Sequence, residues 1–357
     1  KKREVKMANI LHISRTMDIG GAEKIVYQLA TDLKEEFDSV HIASTGGLWE
    51  DELKKKGIQH HKILDVESKS PKTLATNFRI LCSIVKKHKI DIIHTHHRMA
   101  AFYVRLLMYL FPKVKHIYTA HNIFDNRLKL YKYSVQGAKV IAVSIAVKEH
   151  LKKQLNLNNV EIIYNGIKID DSKETSPEVT DFAGIKIGFI GRLDYQKGVD
   201  LLIKALARLD YSDYKMYIIG MGQMKDELQK LVSTYDLTNN VEFLGYRDNI
   251  SDLINSFDFL VFPSRFEGFG LALAETFLRE KTAVVTNILG FSDLINENNS
   301  VVVESENIDK IKEGIELLIR DEEKRITLGQ KARVSTYDMV KYDVFLKKYS
   351  LVYKNSK

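Results

Sequence analysis

The chain of 357 residues carries one cysteine, Cys82, so it can form no internal disulfide and no cysteine-based metal centre. A reducing compartment, and so a cytoplasmic protein, is the expectation. Four prolines in the whole sequence exclude a collagen-like or proline-rich disordered chain. Long apolar runs are also missing. The richest stretch, Met99–Phe111, is interrupted by Arg105 and falls far short of the ~20 residues that cross a bilayer. The basic start Lys1–Lys6 is not followed by the apolar segment of a secretory signal. No Gly-x-Ser-x-Gly, Walker A or His-Glu-x-x-His occurs, so a serine hydrolase, a P-loop ATPase and a zincin all lack their signals. What is there is an ordinary globular composition, 45% hydrophobic and 28% charged, with material for two cores.

The net charge of +7 conceals an asymmetry. Residues 1–170 hold 29 Lys and Arg against 17 Asp and Glu, whereas the remainder is net acidic. Within Pro71–Lys139 the ratio is 13 to 2. Such a half attracts an anionic partner, and nucleic acid, anionic lipid and a phosphorylated substrate all qualify. In Arg98–Lys115, basic residues alternate with Phe102, Leu106, Leu107, Met108, Leu110 and Phe111. That pattern suits a helix lying on a membrane surface, and it suits a buried core helix equally.

Short runs rich in Ile, Val, Phe and Tyr alternate with helical patterns. Strands are expected at 9–13, 40–44, 60–64, 90–95, 116–119, 139–143 and 160–164 in the first half. In the second half they are expected at 185–190, 215–219, 241–244, 257–262, 283–286 and 300–303. Near-continuous apolar runs belong to strands covered on both faces, and alternation with helices points to parallel sheets. The polar segment Gly166–Gly184 interrupts the pattern, which then restarts. The reading is an α/β protein of two Rossmann-like, doubly wound domains facing across a cleft. Residues 332–357, with Tyr337, Tyr342, Phe345, Tyr349 and Tyr353, are expected to form one final helix.

Ligands bind at the carboxyl ends of such strands, so the informative motifs are strand-to-helix loops. Gly20-Gly21-Ala22-Glu23 follows the first strand and brings backbone N–H groups to a helix start, where a phosphate or a plain tight turn would fit. Gly191 and Arg192, then Lys197-Gly198, place two cations beside another helix start, a pyrophosphate clamp. Pro263–Leu271 contains Glu267 in a loop and the amides of Phe269, Gly270 and Leu271, with Glu275 one turn into the helix. Two carboxylates flanking an amide nest can hold hydroxyls on either side of a diphosphate, which describes a nucleotide sugar. His121 ends one strand and suits a cleft lining. His94 and His96 end another and can be ligand-facing or interior. They could chelate a metal, yet no carboxylate is placed as a third ligand, and no metal is expected.

Taken in order, Gly20-Gly21-Ala22-Glu23, Thr119-x-His121, Asn165-Gly166-Ile167, Gly191-Arg192-Leu193 with Lys197-Gly198, and Glu267-x7-Glu275 resemble the retaining GT4 family of glycosyltransferases over about residues 9–335. The resemblance implies the GT-B fold: an acceptor-binding domain over 1–167, rejoined by a C-terminal helix over 336–357, and a nucleotide-sugar domain over 168–335. It implies that Arg192 and Lys197 hold the donor diphosphate, that Glu267 contacts the transferred sugar and that Glu275 contacts ribose. His121 then lies by the sugar's reactive face, Gly20 and Gly21 approach the diphosphate or acceptor, and the base rests near Gly222, Tyr246 and Arg247. It further implies no required cofactor, a UDP-sugar donor in preference to a GDP-sugar, and domain closure around it. The segment Leu289-Gly290-Phe291-Ser292-Asp293 departs from the family's Gly-Gly-x-Pro-Glu, which puts sugar selection in question.

The expected activity is retaining hexosyl transfer to a lipid-linked or saccharide acceptor in surface-polysaccharide or glycolipid synthesis. The protein is then cytoplasmic and can lie peripherally on the inner membrane face through its basic half. Rival readings are a nucleotide-sugar hydrolase or epimerase, a non-catalytic nucleotide-binding module, and a nucleic-acid binder. The last needs exposed aromatic residues among the basic ones, whereas the aromatics here read as core.

Overall fold

The computed structural model describes residues 8–18 and 20–356; the basic start Lys1–Lys6 lies outside them. The chain divides into two compact units, residues 1–166 with 342–357, and residues 167–341.

The first unit is built on a seven-stranded parallel sheet of order β3-β2-β1-β4-β5-β6-β7. Its strands are β1 (Asn9–Ile13), β2 (Ser39–Ser44), β3 (Gln59–Lys62), β4 (Ile92–Thr95), β5 (Lys115–Ala120), β6 (Lys139–Ala142) and β7 (Val160–Ile162). Successive residues of a strand face opposite sides. Leu11 and Ile13 therefore join Ala43 and Ile93 on one face, against the helices Pro71–Lys87 and Arg98–Leu110. His12 and its register partner His94 point the other way, toward Tyr349 and Tyr353 of the helix Tyr342–Asn355. In Arg98–Leu110 the buried side chains include Ala100, Tyr103, Val104 and Leu107. The core reading of that helix accounts for them, and only Tyr109 and Leu110 at its end are largely exposed.

The second unit carries a six-stranded parallel sheet of order β10-β9-β8-β11-β12-β13. Its strands are β8 (Ile185–Ile190), β9 (Tyr214–Ile219), β10 (Val241–Gly245), β11 (Phe259–Phe262), β12 (Ala283–Thr286) and β13 (Val301–Val303). The helices Val199–Leu206 and Ile308–Arg320 bury their apolar stripes on Ile187, Phe189, Val261 and Val284. The Asn307 side chain caps the second of these by accepting from Lys310 N at 3.1 Å.

The single final helix expected over 332–357 is two helices, Glu322–Tyr337 and Tyr342–Asn355. Between them Val340 is buried, its carbonyl accepts from Ile167 N at 3.0 Å, and Lys341 bridges Ile167. Those backbone groups are taken from the helical ladder, so the helix stops and the chain crosses at 341/342. The return segment thus begins at Tyr342 rather than about 336, and Ile167 falls in the second unit.

Tyr353 OH bonds His94 Nδ1 at 2.8 Å inside the first unit. Tyr353→Phe strips that buried nitrogen of its partner and should cost about 1–3 kcal/mol. Trp49, the only tryptophan, lies in this unit and reads the loss as a lower urea midpoint by fluorescence.

Candidate functional site

In an open parallel sheet the crevice for a ligand lies at the carboxyl ends of the strands, where the strand order reverses. In the second unit that point falls between β8 and β11. The two loops leaving these strands are Gly191–Gly198 and Pro263–Gly270, the two motifs singled out in the sequence.

The loops are knitted together by a buried ion pair. Lys197 Nζ donates to Glu267 Oε1, and both side chains are largely buried. Glu267 also accepts from Gln196 Nε2 at 3.3 Å and from Ser264 Oγ at 3.2 Å. Asp194 caps the single turn Tyr195–Lys197 by accepting from Lys197 N at 3.3 Å. Arg192, with a side chain 57% exposed, reaches Gln196 Oε1 and Asp194 Oδ2, each at 3.3 Å. Backbone contact supports these bonds: Gly198, at φ +67°, lies where a Cβ would stand 2.1 Å from the Pro263 carbonyl oxygen. From the next loop, a Cβ on Gly290 would stand 2.0 Å from the Glu267 carbonyl oxygen. The segment Leu289–Phe291, which departs from the family pattern, is therefore the floor under Glu267. Arg265 clamps the same loop from outside through two bonds to Asp200, at 2.9 and 2.8 Å, with its guanidinium 4.0 Å over the Tyr195 ring.

The remaining expected residues of this unit lie on the same strand-end loops. Gly270 is the N-cap of the helix Leu271–Leu278, so first-turn N–H groups begin at Leu271, with Phe269 buried just before. Glu275 is half-buried one turn into that helix. Gly191 N donates to Ile219 O at 3.0 Å, and Leu193 N to Met221 O at 2.9 Å, which sets the β9 loop with Gly222 beside the β8 loop. Tyr246, after β10, is 41% exposed. Arg247 beside it turns to Glu178, with Nε 3.1 Å from Oε2, and to the Leu244 carbonyl. Its charge serves this unit's own structure.

In the first unit the order reverses between β1 and β4. Gly20 is the N-cap of the helix Gly21–Asp32 after β1. His121 follows β5, with Nε2 3.0 Å from His96 Nδ1; His96 Nε2 is in turn 3.3 Å from His12 Nδ1. His94 is paired at both nitrogens, with Tyr353 and with Thr119 Oγ1 at 2.8 Å, and Thr119 continues to Tyr349 at 3.0 Å. His94 and His96 are thus interior, while His121 is only partly buried as a residue. Desolvation lowers His12 to about 3 and His121 to about 4, and holds His94 and His96 well below the ordinary range. His12 also lies close enough to His94 and His96 for the three to share an ion, a proximity hidden in the sequence because β1 and β4 are eighty residues apart. Sequence reading also passed over Gln196, Ser264 and Asp194. The signal available for Gln196 and Asp194 was their position between Arg192 and Lys197.

Comparison with known proteins yields two family models: "Glycosyl transferases group 1" over residues 172–335, and "Glycosyltransferase Family 4" over residues 19–171. The chain is 30% identical to an uncharacterized glycosyltransferase of Methanocaldococcus jannaschii, covering 88% of this chain and 89% of that one. It is 32% identical, over 51% of this chain and 50% of the other, to the N-acetylgalactosamine-N,N'-diacetylbacillosaminyl-diphospho-undecaprenol 4-alpha-N-acetylgalactosaminyltransferase of Campylobacter jejuni. Among solved structures, Anabaena HepE in complex with UDP and glucose superposes with a TM-score of 0.84 at 20% identity, covering 97% of this chain and 99% of that one.

The buried histidines predict acid sensitivity of the first unit. Desolvation depresses His12, His94, His96, His116 and His121 in the folded state, so the unfolded chain binds more protons below the ordinary value of 6.5. Their stabilising contribution is full above pH 6.5 and drains as pH falls toward 4, by up to about 1.4 kcal/mol per pH unit for each group. The urea midpoint read by Trp49 should be clearly lower at pH 5 than at pH 7.5; an unchanged midpoint contradicts the network.

Proposed function

The chain belongs to the group 1 glycosyl transferases, enzymes of GT-B fold, and from that membership we propose that it moves a hexosyl group from a UDP-sugar, with retention, to a lipid-linked or saccharide acceptor in surface-polysaccharide or glycolipid synthesis. One observation carries the reading: Lys197, Glu267 and Arg192 are gathered on two loops at the reversal point of the second unit's sheet, beside the helix start at Leu271. A cation, a carboxylate and the first-turn main-chain donors of a helix on one loop pair suit the junction of a sugar and a diphosphate.

The chemistry follows from that placement. As the bond from the anomeric carbon to the phosphate oxygen breaks, negative charge builds on the leaving UDP. Arg192, the two further N–H donors of the Lys197 ammonium, and the first-turn amides of Leu271–Leu278 stabilise it. Glu267 accepts hydrogen bonds from hydroxyls of the sugar while holding Lys197 in place, and Glu275 accepts from ribose. The acceptor oxygen bonds to the anomeric carbon on the face the phosphate leaves, and its proton passes to a phosphate oxygen. No protein nucleophile is needed, and the side-chain cations and helix amides carry the neutralisation a divalent metal would otherwise supply. His121 offers a reactant the ring nitrogen not engaged by His96. UDP as the base carrier is supported by the UDP bound in the similar HepE fold.

For the acceptor, the Campylobacter relative works on a diphospho-undecaprenol carrier by its name. In this chain Lys69, Arg98 and Arg127, against one carboxylate, Glu67, line a cavity of about 250 Å³ in the basic first unit. That cavity suits a phosphorylated acceptor, and the basic surface suits an anionic leaflet. Sedimentation with anionic vesicles should exceed that with neutral ones; equal sedimentation removes the membrane role.

Calorimetry with UDP, GDP and ADP, followed by turnover of the matching sugar nucleotide, tests the donor reading. UDP should bind best. Arg192→Ala should weaken it by roughly 10- to 100-fold, the loss of a charge-assisted hydrogen bond. His121→Ala should lower kcat by roughly 100-fold while the UDP affinity stays within about twofold. Near-zero effects of both variants remove the site, and equal sugar release with and without acceptor marks a hydrolase instead.

A further inference from the structure

A second histidine cluster lies away from all of these loops. His41 in β2, His61 in β3 and His88, which ends the helix Pro71–Lys87, each place a ring nitrogen within 4.8 Å of the others. The ring centroids of His88 stand 4.4 Å from His41 and 5.1 Å from His61. None of the three has a part in the proposed transfer.

Hydrogen bonds around His41 settle its tautomer. Asn9 Nδ2 donates to the Lys89 carbonyl at 3.1 Å, which turns Asn9 Oδ1 toward Ser39. Ser39 Oγ spends its proton on that oxygen, at 2.8 Å. Ser39 can then only accept from His41 Nε2, 2.9 Å away. His41 Nε2 thus carries the ring proton, and the Nδ1 lone pair points at the cluster, with His61 Nε2 3.0 Å from it. A ligand nitrogen freed by a hydrogen bond on the opposite ring nitrogen is the arrangement that metal-binding histidines use.

Access suits a cation as well. His61 and His88 are half-buried and line a cavity of about 410 Å³ with His60, Ser83 and Ile84. His88 sits at the carboxyl end of a 17-residue helix, where the dipole favours positive charge. Lys62 and Lys87 also line the cavity and oppose it, and no carboxylate does. Three imidazoles without an acid are a donor set for a borderline metal rather than for magnesium or calcium.

We propose that His41 Nδ1, His61 and His88 form a three-histidine site for a zinc-class divalent cation, with the fourth position open to the cavity. Zinc–nitrogen bonds of ~2.0–2.1 Å place tetrahedral ligands about 3.4 Å apart. The half-buried His88 ring closes the remaining distance. His61 moves its proton from Nε2 to Nδ1, so the metal replaces the His41–His61 hydrogen bond without net proton release. The ion then ties the edge strand β3 and the end of Pro71–Lys87 to β2.

The test is calorimetric titration of ZnCl2 into the full chain, prepared without a histidine tag and freed of metal with EDTA at pH 7.5. One zinc should bind saturably and raise the thermal midpoint read by Trp49. His88→Gln and His61→Gln should each weaken binding at least roughly tenfold and abolish the midpoint shift. Ser39→Ala, which touches no metal, should weaken it roughly tenfold by releasing the His41 tautomer. Co2+ in the unmodified chain should give the intense visible bands of tetrahedral coordination, a reading independent of how any variant folds. No saturable zinc binding below about 100 μM, binding undiminished in folded His88→Gln, or cobalt bands of octahedral weakness each overturn the site.

Discussion

The second unit turns on the Lys197–Glu267 ion pair. A buried pair costs desolvation on both sides and persists only where geometry and further hydrogen bonds offset that cost. Gln196 and Ser264 supply the further bonds, and Gly198 against Pro263 and Gly290 against Glu267 bring the backbones close enough for them. The pair therefore holds the loops of β8 and β11 at fixed separation before any ligand arrives. In the proposed transfer a donor diphosphate would meet the Lys197 ammonium already positioned, so that little reorganisation would accompany the build-up of charge on the leaving group. Arg192 differs: its side chain is exposed and held by one contact each to Gln196 and Asp194, and in the proposed transfer those contacts would be exchanged for a phosphate.

The first unit shows the opposite use of buried polarity. His12, His94, His96 and His121 form hydrogen-bonded chains between the sheet and the returning helix, and burial keeps them neutral. An apolar filling would be simpler. Here the network orients His121, its most exposed member, through His96. It also makes the last helix part of the first unit's interior, because Tyr349 and Tyr353 are the partners that Thr119 and His94 would otherwise lack. The clusters at His12 and at His41 differ in the feature that matters for an ion. The first is sealed, whereas the second opens on a cavity and has a ring tautomer set from outside.

The thirteen strands among the described residues, the restart near residue 185 and the positions of the loops that carry Gly20, Arg192, Lys197, Glu267 and Glu275 were legible in the sequence. The physical reason is local: most of these strands are covered on both faces and so are apolar nearly throughout, and glycine marks the tight turns that follow several of them. Tertiary structure alone decided which groups meet. It ended the helix at Tyr337 because Val340 and Lys341 pair with Ile167, turned Arg247 onto Glu178, and covered His94 by bringing a helix from the end of the chain. It also closed Lys197 on Glu267, seventy residues away. Periodicity reports the environment of a residue, but a hydrogen-bond or ion-pair partner is chosen by strand order, and strand order is settled only when the whole sheet assembles.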